Sequence, residues 1–589
     1  MVLAAVGGAT NRTSSASDPR RVVLVSLDGG ADWLVDRFIA EGKAPAFTRM
    51  AAEGTAAESL LSVWPSLTAA AHATLWTGAP PRVHGVPGNQ APVLPASGHT
   101  ILEQQSGYLS SVLAAEPIWI AAARAGRRVL VLQATQGAPF TGQFPDRLLQ
   151  FDVFGNELSR VAIVEGSLTA GSHTFTVGDE TAVIAAGPDG SVLLTIGQAR
   201  AQLAPRAGKR WSQTLRAQAA GRTGFFRAGL LSYDAASGAF VLMRGRVSEI
   251  ISSDPAERDA FVRAAGTIMD FGLLPFYQRG RLGPTLAAGG NGEAEETLAE
   301  AISINQEYAE GALAYAASQR WDLLIAYNPG LDLVQHALLG MIDPASSAYQ
   351  PALAERVWPY VERTFARCAD DYVALLRRRF PEAIIVLVSD HGAEGTGRTL
   401  YPNAILAQAG LLQLGEDGTV DLSGTKAMYL DGRPSAVTIN GTWWKSGVVR
   451  EEDRGEVKRA VAAALLDARD PQNGAHVIRA VLDPERDGEA LGFGSPGVDL
   501  IFDAAPDYAT SAALGRASVA ERGGASGEGE HGPAPFRRKL HGIFYAAGPG
   551  LRAGTRLPLV QPIDVAPTVA ALLGIPPPRN AVGRALPLQ

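Results

Sequence analysis

The sequence predicts an α/β protein in which a mainly parallel central sheet is flanked by helices, with a β-rich insert and a small α/β cap. Two observations predict it. Short runs of apolar residues, each closed by a polar residue or a glycine, recur along the 589 residues, and strands that are apolar at every position belong to sheets covered on both faces. Segments of helical character lie between them, and strands alternating with helices build parallel sheets. Arg21–Leu27 (RVVLVSL) is the first strand, and Ala69–Trp76 is alanine-rich with high helical propensity. Arg128–Leu132, Asp322–Tyr327, Ala383–Ser389 (AIIVLVS) and Gly542–Ala547 are further strands. In Val361–Leu376 the residues Val361, Phe365, Cys368, Tyr372 and Leu375 step by four, three, four and three, which is one face of a helix and assigns Cys368 to the core.

Two regions break this rhythm. From Phe151 to Ile251 the text is rich in Gly, Thr and Ser, with alternating strands at Ser172–Val177, Ser191–Ile196 and Ala239–Arg244. Its aromatic residues Phe225, Phe226 and Tyr233 are expected to form its own core. From Leu411 to Thr510, strand-like Ala436–Ile439 precedes helix-like Glu451–Ala468 and strand-like Val477–Leu482 and Val498–Phe502. The expected organisation is a tail or export-signal remnant at 1–19, catalytic core at 20–150, β-rich module at 151–260, core at 261–410, cap at 411–510 and core at 511–589. The Gly/Glu-rich stretches Ala287–Glu296 and Ala520–Glu530 read as mobile loops.

The composition narrows the function. The formal charge of −7 argues against a nucleic-acid duplex as partner. A single cysteine excludes an internal disulfide and a thiolate zinc site. No apolar run approaches the ~18 residues of a membrane span. Residues 1–19 lack the basic start and long apolar stretch of a complete signal peptide.

In an open parallel sheet, ligands gather at the carboxyl ends of strands. Asp28-Gly29 follows the first strand, Asp332 with His336 follows Asp322–Tyr327, and Asp390-His391-Gly392 follows Ala383–Ser389. His531 lies in a glycine-rich stretch before the last strand. Each taken singly has a plain reading: an aspartate after a strand is a common turn or cap residue. Together they are a concentration in a chain with nine histidines. Adjacent charged groups after an apolar strand are costly to bury unless paired or metal-bound. Asp and imidazole without thiolate suit zinc, with manganese second. Thr68 stands at the start of the alanine-rich helix, either as a cap or as a nucleophile where the helix dipole favours an anion.

The stretches SLDGG (Ser26–Gly30) and WPSLTAAAHATLWTGAPPRVHGVPGN (Trp64–Asn89) closely resemble the alkaline phosphatase superfamily, within it the type I phosphodiesterase/nucleotide pyrophosphatase branch. From Thr68, a histidine follows at four (His72), Thr77-Gly78 at nine, His84-Gly85 at sixteen and Asn89 at twenty-one, as in that family. The likeness continues in EPIW (Glu116–Trp119), Asp332-x-x-x-His336, VSDHG (Val388–Gly392), GEHG (Gly529–Gly532) and IDVAPTVAALLGIPPP (Ile563–Pro578), and leaves out the β-rich stretch.

The resemblance implies an alkaline-phosphatase-like sandwich and a phosphodiesterase with Thr68 as catalytic nucleophile, passing through a phosphothreonine. It implies two divalent metal ions, zinc first, one held by Asp28, Thr68, Asp390 and His391, the other by Asp332, His336 and His531. Asn89 is the implied phosphate-binding residue. His531 is preferred to His541, because in the family pattern the histidine precedes the Gly-Pro of the next strand by seventeen residues, as His531 precedes Gly548. His72 and His84 resemble structural histidines of the family. The threonine-dependent monoesterases share a Lys-x-Arg pair that grips the extra phosphate charge; here Ala134 and Gln136 stand in its place, which favours a diester. The Trp-Pro-Gly usual in the pyrophosphatase branch is absent, leaving the leaving group open. A small phosphate ester is the expected substrate, and a periplasmic or secreted setting is implied. The alternatives are a phosphomonoesterase of the same superfamily and a phosphoryl-group transferase. A sulfatase is disfavoured, because Cys368 lacks the Cys/Ser-x-Pro-x-Arg context.

Overall fold

The computed structural model describes residues 20–269, 273–433, 435–521 and 528–589. The segment 1–19 expected as a tail lies outside the described residues. So does the 522–527 part of the Gly/Glu-rich stretch.

A nine-stranded sheet runs through the molecule. Its strands in chain order are β1 (Arg21–Leu27), β2 (Thr55–Ala57), β3 (Val129–Val131), β4 (Leu148–Asp152), β5 (Ile251–Ser252), β6 (Leu323–Asn328), β7 (Ala383–Val388), β8 (Phe544–Ala547) and β9 (Thr555–Leu557). Their spatial order is β5-β4-β3-β6-β1-β7-β8-β2-β9. Pairing is parallel from β4 through β3, β6 and β1 to β7. The last strand expected from the sequence, β8, joins the sheet antiparallel to β7.

Successive residues of β1 point to opposite faces, and each face has its own core. Val23, Val25 and Leu27 belong to a cluster with Phe38, Phe47 and Phe365. Val22 and Leu24 belong to another with Trp76, Trp119 and Val569. A strand buried on both faces is apolar along most of its length, as in β1, β6 and β7, where the buried polar residues Ser26 and Asn328 fall near the carboxyl ends. The helix expected over Val361–Leu376 is Pro351–Phe365 and Asp371–Arg379 joined by a π turn at Ala366–Asp370. Cys368 lies in that turn, buried, and burial pushes its thiol up to about 12.

Residues 157–248 contribute short antiparallel strands in three small sheets around Val177, Ile184, Phe226 and Leu242. Tyr233 packs against that cluster, whereas Phe225 packs against the main one. A further antiparallel sheet holds Ala427–Tyr429, Ala436–Ile439, Ile478–Leu482 and Leu500–Ala504, with the helix Arg454–Asp467 beside it.

The stretches read as loops carry structure. A 25-residue helix begins at Glu293. Glu528–Glu530 is a strand that pairs with Glu394–Thr396. Gly529 permits this, because a Cβ there would stand 2.5 Å from the Gln335 carbonyl oxygen. No helix among the described residues is long and apolar enough to cross a membrane.

Candidate active site

Parallel neighbours present their carboxyl ends at one edge, and β6, β1 and β7 are neighbours. Asp28 after β1, the helix α1 (Gly330–Ile342) after β6, and Asp390-His391 after β7 therefore meet.

Asp28, Asp390 and His391 form one buried group. His391 Nε2 lies 3.1 Å from Asp390 Oδ2 and 3.5 Å from Asp28 Oδ1. His391 Nδ1 donates to the Gly392 carbonyl at 3.0 Å, which turns Nε2 toward the carboxylates. Tyr327 donates its hydroxyl to the other Asp28 oxygen, and the Gly29 N–H donates to Asp390 Oδ1 at 3.2 Å. Asp28 Oδ1 and Asp390 Oδ2 are buried without a hydrogen-bond donor. Burial, and then the charges of Asp390 and Asp332, hold the Asp28 carboxyl well above its ordinary range. Burial also pushes Asp390 up, but the His391 and His72 imidazoles outweigh it and hold that carboxyl well below its ordinary range.

Asp332, His336 and His531 form the second group. Asp332 and His336 are one turn apart on α1, with His336 Nε2 3.4 Å from Asp332 Oδ2. His531 follows the strand Glu528–Glu530, its Nε2 3.6 Å from Asp332 Oδ1. His336 Nδ1 donates to the Gly529 carbonyl and His531 Nδ1 to the Ser66 carbonyl, each at 2.7 Å. Their Nε2 atoms face each other at 3.1 Å. With both rings neutral these are two lone pairs, which a cation or a shared proton between them satisfies. The His391 and His531 rings stack with centroids 3.6 Å apart, which joins the two groups. His541 lies in neither. Its Nδ1 is 3.0 Å from Ser59 Oγ.

The helix α2, spanning Thr68–Thr77, starts at the nucleophile candidate; α2 precedes α1 in the chain. Its cap position is Leu67, which has no side-chain acceptor, and the Thr68 hydroxyl is not spent as a cap. Thr68 Oγ1 lies 3.3 Å from His391 Nε2. Asn89 Oδ1 accepts the Ala69 N–H at 3.1 Å, which fixes that amide beside the helix start. His72 donates from Nδ1 to the Thr68 carbonyl and accepts from Ser26 Oγ, both at 2.8 Å. His84 accepts the Val86 N–H at 3.1 Å and donates to Thr74 Oγ1 at 3.0 Å; burial lowers its pKa to about 3, so it stays neutral.

Ala134 packs in the core behind the sheet. Gln136 donates from Nε2 to the carbonyls of Ala69 at 3.1 Å and Gly107 at 2.8 Å. Arg147 donates to the Gly126 carbonyl near the amino end of β3, the edge away from the two groups.

Several contributors escaped the sequence reading. Tyr327 pairs in register with Ser26 beside Asp28, a neighbourhood that only the assembled sheet reveals. Ser66 carried no signal; its hydroxyl donates to the Pro533 carbonyl at 2.8 Å and accepts the Gly532 N–H at 2.9 Å, holding the His531 turn. Tyr108, beside Thr68 in an irregular stretch, carried none either.

The model of the type I phosphodiesterase / nucleotide pyrophosphatase family matches residues 22–152 and 258–533. The interruption falls on the segment of small antiparallel sheets. Among solved structures, murine ectonucleotide pyrophosphatase/phosphodiesterase 5 in complex with AMP is 15% identical, with 97% of each chain covered and a TM-score of 0.46. The alkaline phosphatase PafA is 14% identical, with 97% of this chain and 99% of that one covered and a TM-score of 0.48. No curated protein matches significantly.

Proposed function

The chain belongs to the type I phosphodiesterase / nucleotide pyrophosphatase family and is a metal-dependent phosphoric ester hydrolase, and from that premise we propose that it cleaves small phosphodiesters with Thr68 as nucleophile at a two-cation centre. The observation that carries this reading is the Thr68 hydroxyl, uncapped at a helix start and 3.3 Å from His391 Nε2.

The donor set fits two divalent cations. Asp28, Asp390, His391 and Thr68 would hold one, and Asp332, His336 and His531 the other. The buried, donor-less oxygens of Asp28, Asp332 and Asp390 and the facing imidazole nitrogens support that fit. Three imidazoles and three carboxylates without thiolate favour zinc. Bound there, the ions would lower the pKa of the threonine hydroxyl and screen the phosphoryl charge.

The chain's own residues do the rest. Thr68 Oγ1 attacks phosphorus as its proton passes to solvent, the bond from phosphorus to the leaving oxygen breaks, and a phosphothreonine that keeps the second ester group of the diester forms. Water then attacks that phosphorus and returns the Thr68 oxygen. Asn89, its Oδ1 occupied by the Ala69 N–H, presents its NH₂ to a phosphoryl oxygen. The start of α2 favours the developing negative charge.

Diester preference follows from what surrounds that anion. A monoester dianion needs cationic partners, and Ala134 and Gln136 supply none. Catalytic efficiency is therefore expected to be higher for bis-(4-nitrophenyl) phosphate than for 4-nitrophenyl phosphate, with two charge-assisted contacts of roughly 1.5–3 kcal/mol each missing for the dianion. Faster hydrolysis of the monoester by that measure overturns the diester reading.

A further inference from the structure

Tyr108 is a part-buried phenol that belongs to neither group of metal-binding candidates. Its ring packs on Ala69, Ala73 and Val86, one side of α2 and the turn before Asn89. Its hydroxyl faces Thr68 and lies within the fields of Asp28, Asp332 and Asp390. The phenol oxygen therefore looks onto the space that both groups share.

The chain around Tyr108 is held with unusual care for an irregular stretch. Gln136 donates its backbone N–H to the Tyr108 carbonyl at 2.8 Å, and its side-chain NH₂ to the carbonyls of Gly107 and Ala69. One side chain thus ties the Tyr108 stretch to the first turn of α2. Gln136 does this from a left-handed backbone conformation, φ 55°. The Gly107 N–H donates to the Asn89 carbonyl at 2.9 Å, and a Cβ on Gly107 would stand 2.0 Å from the Gly88 carbonyl oxygen. Only glycine allows that approach, and it brings Tyr108 and Asn89 to the same side of Thr68.

We propose that Tyr108 is a substrate-binding residue whose phenol donates a hydrogen bond to a nonbridging phosphoryl oxygen, with Gln136 as the residue that positions it. This deepens the reading of Thr68 as nucleophile and rests on it. When phosphorus approaches Thr68 Oγ1, its oxygens enter the space the phenol already faces. An uncharged donor suits a phosphodiester, which brings one negative charge. A hydrogen bond to an ionised acceptor is about twice as strong as a neutral one. Gln136 and Tyr108 together place a neutral grip beside a helix start that lacks a cationic one.

The test is Tyr108→Phe in the full-length, zinc-loaded enzyme, which keeps the ring and its packing. The expected result is a loss of roughly ten- to hundredfold in kcat/KM for bis-(4-nitrophenyl) phosphate. Inorganic phosphate, measured by calorimetry, should bind about tenfold more weakly, with metal content and Tm unchanged. Phosphate binding needs no turnover, so this arm reports on Tyr108 even if Thr68→Ala turns out active and the nucleophile reading fails. Efficiency and phosphate affinity both within about twofold of wild type overturn the proposal. A loss that accompanies loss of metal or of folding stability overturns it too, because the phenol would then be a support and not a ligand of the substrate.

Discussion

Thr68→Ala is expected to lower turnover at least about a thousandfold while leaving the fold intact. Loss of a covalent nucleophile is among the most damaging single changes an active site can suffer, and water attacking without Thr68 lacks its positioning. The fold should survive for a local reason. Thr68 is the first residue of α2 and its hydroxyl caps nothing. Alanine is the better helix former, and the net change should stay within about 1 kcal/mol. Steady-state rates beside thermal denaturation check both halves. A variant that turns over at the wild-type rate removes Thr68 from the chemistry. The remaining groups would then have to act on water directly.

The second large effect is expected on metal. Protein loaded with zinc should carry close to two ions per chain, one for each group of facing ligands, and chelation should abolish hydrolysis. His531→Ala should release one ion and lower turnover at least about a hundredfold. It removes one of two imidazole nitrogens that face each other at 3.1 Å. His541→Ala should keep both ions, because that ring bonds Ser59 and belongs to neither group. Elemental analysis of the two variants separates the histidines. Loss of an ion from His541→Ala, with retention in His531→Ala, reverses the assignment. Full activity in a metal-free preparation contradicts the two-cation reading altogether.

The parts of this centre differ in how far a sequence can reveal them. β1, β6 and β7 announced themselves because a strand covered on both faces is mostly apolar, so the first aspartate beyond it stands out. Thr68 and Asn89 were legible as spacing within one short stretch. What no spacing contains is the lateral order of strands. That β6 and β7 both flank β1 is a property of the assembled sheet, and it brings Asp332 and Asp390 to Asp28. The strand before His531 was hidden for another reason. Glu528–Glu530 has no apolar alternation. It exists because Gly529 fits against α1 and because Glu394–Thr396 offers it a partner. The helix around Cys368 shows the converse. Its apolar period survived a π turn, so it read as one helix, while the turn itself belongs to Asp370, whose carboxylate accepts the N–H groups of Ala46 and Phe47 from a distant helix. Tyr108 and Ser66 act through irregular backbone, where neither periodicity nor propensity reports position.

The most direct measurement of the account is an acid quench of the enzyme during turnover of bis-(4-nitrophenyl) phosphate, followed by peptide mapping of the phosphorylated site. A 4-nitrophenyl phosphoryl group on Thr68, absent from Thr68→Ala, is the predicted result. Phosphate on another residue, or a rapid-quench time course in which product forms with no phosphopeptide at any point, contradicts a covalent mechanism through Thr68.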